Sequence, residues 1–157
     1  DAHVVFGGKE YPCLTGVPCG NCRESPVFEW EFTITQEDLA KVVKDHAGED
    51  IGKIIEIRRI EEDAGQRPRE VVLKGEKGEI RVSSGSFRRS IGTSRMKSVA
   101  FTVEKLGDMF KIRGYGWGHG VGMCQWGAAG MADPMLGFTA EEILKHYYQG
   151  ARIERLY

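Results

Sequence analysis

The stretch SVAFTVEKLGDMFKIRGYGWGHGVGMCQWGAAGM, residues 98–131, changes its periodicity twice. Residues 98–105 and 109–113 are rich in β-branched and aromatic side chains on either side of Leu106-Gly107-Asp108, which predicts an antiparallel pair closed by a tight turn. Residues 114–122 then carry glycine at every second position, opening backbone conformations that other residues avoid. From residue 123 to 131 the composition turns alanine-rich and predicts a short helix. Strand pair, glycine loop and helix in one run point to an α+β chain.

The flanking segments extend this pattern. Residues 27–34 alternate through Phe28, Trp30, Phe32 and Ile34, as a half-buried strand requires. Thr35 is a good N-cap with Asp38 in the first turn, so a helix is expected from residue 36 to about 44, ending before Gly48. Strand-like runs occupy 51–60, 70–73 and 79–82, the last two joined by a glycine-bearing loop, and 86–91 reads as a short helix. Thr139 and Glu142 form a capping box for a final helix through Ile143, Leu144 and Tyr147, stopped at Gly150. The expected fold is therefore antiparallel strands with a few short helices in one compact domain. It comprises a Cys-rich loop (1–26), a strand and helix core (27–113), and the glycine-rich loop with the C-terminal helices (114–157).

A chain of 157 residues, 41% hydrophobic, can bury one core. With 22 basic against 23 acidic residues and a net charge of -1, no broad field draws it to nucleic acid or to an anionic membrane. Arg58-Arg59, the arginines at 67 and 69, and Arg88-Arg89 are the local basic patches, the first two reading as solvated side chains beside strands and turns. No apolar run reaches the length of a membrane span, and Asp1-Ala2-His3 has neither the basic cap nor the apolar segment of a signal peptide. The absence of an initiator Met points to a processed or trimmed chain with residues missing upstream.

The glycine-rich stretch is where chemistry is expected. Free amide donors at the start of the following helix would point into a loop bearing a titratable His119 and the aromatic faces of Trp117 and Trp126. That combination suits a polyhydroxylated ligand, with indoles against sugar rings and backbone amides and Gln125 for hydroxyl or acetamido groups. The competing reading is structural: a tight glycine turn, both tryptophans packed as core, and His119 hydrogen-bonded internally.

Residues 116–132, GWGHGVGMCQWGAAGMA, resemble the signature of the SpoIID/LytB family. Three further segments match that family in the same order: FRRSIG (87–92) followed by MKSVAF (96–101), ILKHYYQG (143–150), and the loop holding Tyr11-Pro12, Leu14, Val17 and Pro26 before Trp30. The resemblance implies a peptidoglycan-directed protein, exported to the bacterial cell envelope: the periplasm, the extracellular side, or the space of forespore engulfment during sporulation. Members are implied to act either as lytic transglycosylases on glycan strands or as enhancers of a cell-wall amidase. A lytic cut needs one carboxylic acid to protonate the glycosidic oxygen while a substrate hydroxyl closes on the anomeric carbon. In the family that glutamate belongs to an alanine-rich helical segment upstream of the matched region, and nothing like it occurs here, so the catalytic acid is expected outside this chain. Glu24, Glu29, Glu31 and Asp133 read as ordinary exposed carboxylates. Arg88, Trp117, His119, Gln125 and Trp126 are the expected ligand contacts, with an internal salt bridge as the alternative for Arg88 and a structural place on the last helix for His146. A non-catalytic binding module is the alternative function.

Cys13, Cys19 and Cys22 lie in one Gly- and Pro-bearing loop, and a C-x-x-C pair with a third cysteine just upstream has the spacing of a zinc knuckle. His3, an upstream residue or water would be the fourth ligand of a structural zinc. A disulfide between two of the three, or reduced thiols, fits the same spacing. Cys124 stands apart and reads as a small buried residue at a helix start.

Overall fold

A computed structural model of the chain describes residues 2, 7–63 and 65–155. Among them run β1 (Glu29–Thr35), α1 (Gln36–Ala47), β2 (Ile54–Glu62), β3 (Pro68–Gly75), β4 (Glu79–Ser83), α2 (Ser84–Ile91), β5 (Phe101–Leu106), β6 (Met109–Tyr115), α3 (Gln125–Met131) and α4 (Ala140–Tyr147). The fold is α+β, with every strand pairing antiparallel. The chain divides into two compact units, Glu29–His119 on the one hand and Asp1–Phe28 with Gly120–Tyr157 on the other.

The Glu29–His119 unit holds two three-stranded sheets, ordered β1-β6-β5 and β2-β3-β4. The hairpin between β5 and β6 turns at Gly107, whose φ of 59° suits glycine. Opposite β6 lies β1, with Trp30 facing Gly114, Phe32 facing Ile112 and Ile34 facing Phe110, so the alternation read from residues 27–34 is the core-facing register. Gly114 is a glycine because Trp30 covers it: a Cβ there would meet the Trp30 ring and stand 2.6 Å from the Ala100 carbonyl.

Helix α1 begins at Thr35, whose Oγ1 accepts from the Asp38 amide at 3.0 Å, and it ends at Gly48 in the left-handed conformation (φ 74°). Ser83 caps α2 in the same manner, accepting from the Ser86 amide at 3.1 Å. Both helices bury one face, Leu39 and Val43 from α1 and Phe87 and Ile91 from α2, against Val71 and Leu73 of β3, Ile54, Phe101, Phe110 and Ile112. Phe87 and Phe101 pack with ring centroids 5.9 Å apart. Each such large side chain contributes about 2 to 3 kcal/mol by leaving water. The basic patches are engaged locally: Arg58 pairs with Glu79 at 2.5 Å, and Arg59 pairs with Glu62 while donating to the Phe101 carbonyl.

In the other unit, α4 opens with a full capping box: Thr139 accepts from the Glu142 amide, and the Glu142 carboxylate accepts from the Thr139 amide at 2.7 Å. Its last helical residue is Tyr147, and Gly150 lies in the turn that follows. Helix α3 is capped by the Cys124 thiol, which accepts from the Gly127 amide. The two helices bury Met131, Ile143 and Tyr147, with Val17, Cys19, Cys124, Ala128 and Tyr148 packed at the margin. Among the described residues no helix is long and apolar enough to cross a membrane.

Candidate functional site

Gly116, Gly118, Gly120 and Gly122 all adopt positive φ (68°, 101°, 77° and 83°), a conformation that side chains with a Cβ rarely tolerate. The alternation of glycine is thus a backbone requirement repeated at every second residue, and the intervening Trp117 and His119 face outward. Trp117 is 60% exposed, and Tyr115 and His119 are exposed as well. The core reading of Trp117 does not hold, because the glycines on either side turn it out rather than in.

Within the Glu29–His119 unit the backbone under Trp117 is held on both sides. The Trp30 indole donates to the Gly116 carbonyl at 3.0 Å, and the Gly118 amide donates to the Lys97 carbonyl at 2.8 Å. Ser98 forms a parallel bridge with Gly118, and its buried hydroxyl donates to the Tyr115 carbonyl at 2.6 Å. Arg88, half-buried on α2, donates through Nε to the Met96 carbonyl at 3.0 Å, the carbonyl just before Lys97. It therefore braces the 96–98 segment, and among the described residues no ion pair of Arg88 accompanies that bond. Burial pushes its pKa down from the ordinary arginine value.

In the second unit, Gln125 and Trp126 open α3 and are both exposed, Trp126 by 46%. Met123 donates its amide to the Tyr148 hydroxyl at 3.3 Å, anchoring the approach to α3. His146 is half-buried and its Nε2 lies 3.0 Å from the Pro18 carbonyl, a structural contact between α4 and the N-terminal loop.

The same unit contains a cluster that the sequence reading divided. The sulfurs of Cys19, Cys22 and Cys124 lie within 4.8 Å of one another. The Tyr147 hydroxyl sits 3.2 Å from the Cys19 sulfur, the Gly127 amide donates to the Cys124 sulfur at 3.4 Å, and the Cys22 thiol points at the Cys19 carbonyl at 3.7 Å. Cys13 is half-buried and stands outside this group, and His3 lies outside the described residues. Cys124 takes the place that spacing alone had given to Cys13.

Electrostatics make the three thiols unequal. Burial opposes ionisation of Cys19, yet hydrogen bonds from Tyr147, Cys22 and Cys124 and from the Asn21 backbone outweigh it and lower its pKa. Burial, together with the Cys19 charge, pushes Cys22 up to about 12. Cys124 is also raised, by burial first, although the Gly127 amide works the other way. Tyr147 is raised by burial and by its bond to Cys19, so it stays a proton donor.

The glycines of α3 explain how the loop reaches the helix. A Cβ on Gly127 would collide with the Tyr147 hydroxyl and the Cys19 sulfur, and one on Gly130 would collide with the Asn21 carbonyl. Being three apart, both lie on one helix face, and the Cys19–Cys22 turn is seated on it.

The carboxylates weighed earlier lie on the surface. Glu31 bridges Lys111 at 3.1 Å and Arg113 at 3.0 Å, and these hydrogen bonds hold its pKa below the ordinary glutamate value. Asp133 caps a turn through the Met135 amide at 2.8 Å, while Glu24 and Glu29 are exposed.

Residues 19–122, about two thirds of the chain, match a family model described as a domain of unknown function, DUF8618. The chain belongs to this family. The matched span includes Arg88, Trp117 and His119, with Cys19 and Cys22. An uncharacterized protein of Brachyspira hyodysenteriae is 44% identical over 72 residues, 46% of this chain and 19% of its own length. The amidase enhancer of Bacillus subtilis is 39% identical over 74 residues, covering 47% of the chain and 10% of that protein. Stage II sporulation protein D of the same organism is 30% identical over 144 residues, 90% of the chain and 38% of that protein. The two Bacillus subtilis relatives bear out the SpoIID/LytB resemblance drawn from the four segments. The chain spans well under half the length of each of them.

Proposed function

We propose that this chain is the glycan-contacting part of a peptidoglycan-remodelling protein of the bacterial cell envelope. The exposed indole of Trp117, on a backbone fixed at Gly116 and Gly118, carries the reading. An aromatic side chain on a backbone already held loses less entropy on binding than one on a free loop, and it offers the apolar surface that the C–H face of a sugar ring needs. His119 beside it adds a polar contact for hydroxyl or acetamido groups. Arg88 acts as a positioning residue through the Met96 carbonyl. In the other unit, Trp126 and Gln125 present the same pair of chemistries, an exposed indole beside an amide. Kinship with stage II sporulation protein D supports a cell-wall setting.

A lytic cut requires a carboxyl group that keeps its proton until the leaving oxygen takes it. The shifted carboxylates Glu31, Asp50 and Glu142 all move the other way, toward lower pKa. On this reading the chain holds the strand, and these three carboxylates are not the acid. A second reading, stimulation of a cell-wall amidase by a non-catalytic module, is favoured by the relative named amidase enhancer.

Co-sedimentation with purified sacculi tests the proposal. The chain should pellet with sacculi, and Trp117→Ala should weaken binding about tenfold, as loss of an aromatic anchor does, with its circular dichroism unchanged. Equal binding by Trp117→Ala, His119→Ala and Trp126→Ala would sink it. Adding the chain to an amidase digesting the same sacculi separates the two readings: a rate increase that survives Trp117→Ala favours the second.

A further inference from the structure

We propose that Cys19, Cys22 and Cys124 form a tri-thiolate zinc site that fastens the N-terminal loop to the start of α3. The convergence of three sulfurs is the first ground. Thiolates on one tetrahedral zinc, at about 2.3 Å from the ion, stand about 3.8 Å from each other. The observed 4.8 Å limit needs a contraction of about an ångström, within reach of cysteine rotamers on a turn and at a helix cap. A disulfide would use two of the sulfurs and leave the third thiol packed against it without a role.

The surroundings provide a second ground. Thiolate ligands of zinc are held by outer hydrogen bonds, and two donors are already in place: the Tyr147 hydroxyl toward Cys19 and the Gly127 amide toward Cys124. Gly127 lacks a side chain where the Cys19 sulfur and the Tyr147 hydroxyl pass, so the helix is shaped to admit the cluster. The fourth position falls to solvent.

A third ground is mechanical. Among the described residues of this unit, only Met131, Ile143 and Tyr147 make up its fully buried cluster. So few apolar side chains hold a loop weakly, and an ion joining the Cys19–Cys22 turn to the distant Cys124 supplies the missing constraint. Zinc, a d¹⁰ ion without geometric preference of its own, suits thiolates presented by a turn and a cap. The site is independent of whether the chain touches glycan.

The test is metal content and mass of the intact 157-residue chain, purified with a phosphine reductant and supplied with zinc chloride. One zinc per chain is expected by native mass spectrometry. Cys19→Ser, Cys22→Ser and Cys124→Ser should each lower zinc affinity at least about a hundredfold, and Tyr147→Phe about tenfold, while Cys13→Ser leaves it unchanged. If the serine variants fold poorly, cobalt(II) decides: thiolate-to-metal absorption in the near ultraviolet should appear on the unaltered chain and at the same intensity in Cys13→Ser. No bound metal would overturn the proposal. So would zinc lost in Cys13→Ser but kept in Cys124→Ser, or, in a portion purified without reductant, a two-mass-unit deficit that places two of the three cysteines in a disulfide and persists when zinc is supplied.

Discussion

The Glu29–His119 unit and the unit formed by the two chain ends are held together by different physics. The first sandwiches α1 and α2 against sheet residues such as Val71, Leu73, Phe101 and Phe110, and its stability is a matter of apolar area. In the second, two short helices bury Met131, Ile143 and Tyr147 among the described residues, and order depends on individual polar links: the Thr139 capping box, the Tyr148 and Tyr147 hydroxyls, and the cysteine cluster. The lesson is that the same glycine-rich segment runs between a region fixed by burial and one fixed by specific contacts, and the two should fail under different insults.

Phe87→Ala should have the largest effect. Phe87 is 1% exposed in the centre of the larger core, and its truncation is expected to cost about 3 to 5 kcal/mol in urea denaturation, through lost burial and the cavity left behind. A cost below about 1 kcal/mol would mean that burial is not what holds this unit.

Gly127→Ala tests the other region. Replacing glycine in an exposed helix with alanine normally stabilises by about 1 kcal/mol, but here the added methyl meets the Cys19 sulfur and the Tyr147 hydroxyl. Destabilisation of about 1 to 3 kcal/mol is expected, seen as faster hydrogen exchange in α3 and α4 with the β-strands unaffected. Stabilisation would show that the loop does not sit on that helix face.

Thr139→Ala should cost about 1 kcal/mol and fray only α4. The cap also carries a pH signature. Bonds from the Thr139 amide and hydroxyl lower the folded pKa of Glu142 below its ordinary value of 4.5. Its contribution is therefore complete above that value and is lost as pH falls below it through the lowered folded pKa. Glu142→Gln should flatten the acid limb of α4 exchange in this range. Smallest of all, Trp117→Ala should change stability by no more than about 0.5 kcal/mol while it weakens binding to sacculi, because the indole is exposed.

Local signals make most of the fold legible in the sequence. Thr35, Gly48, Thr139 and Glu142 cap the helices where their residue types place them, and the β5-β6 hairpin turns at Gly107. Such features depend on neighbours a few residues away. The cysteine cluster depends on neighbours far away. Cys19 and Tyr147 are 128 residues apart in sequence, and spacing could pair Cys19 and Cys22 only with what stood close by, namely Cys13. The signal that pointed to Cys124 was present but lay in the glycines: Gly127 and Gly130, three apart on a helix, mark a face where another backbone passes. For Trp117 the sequence left core and surface readings both open, and the positive φ at its two flanking glycines decides for the surface.

Hydrogen exchange of the intact chain, before and after chelation under reducing conditions, tests the contrast most directly. Removal of zinc should raise exchange in residues 19–28 and in α3 and α4, while β1, β3, β5 and β6 keep their protection. Unchanged exchange throughout, or a loss of protection shared equally by the strands, would contradict it.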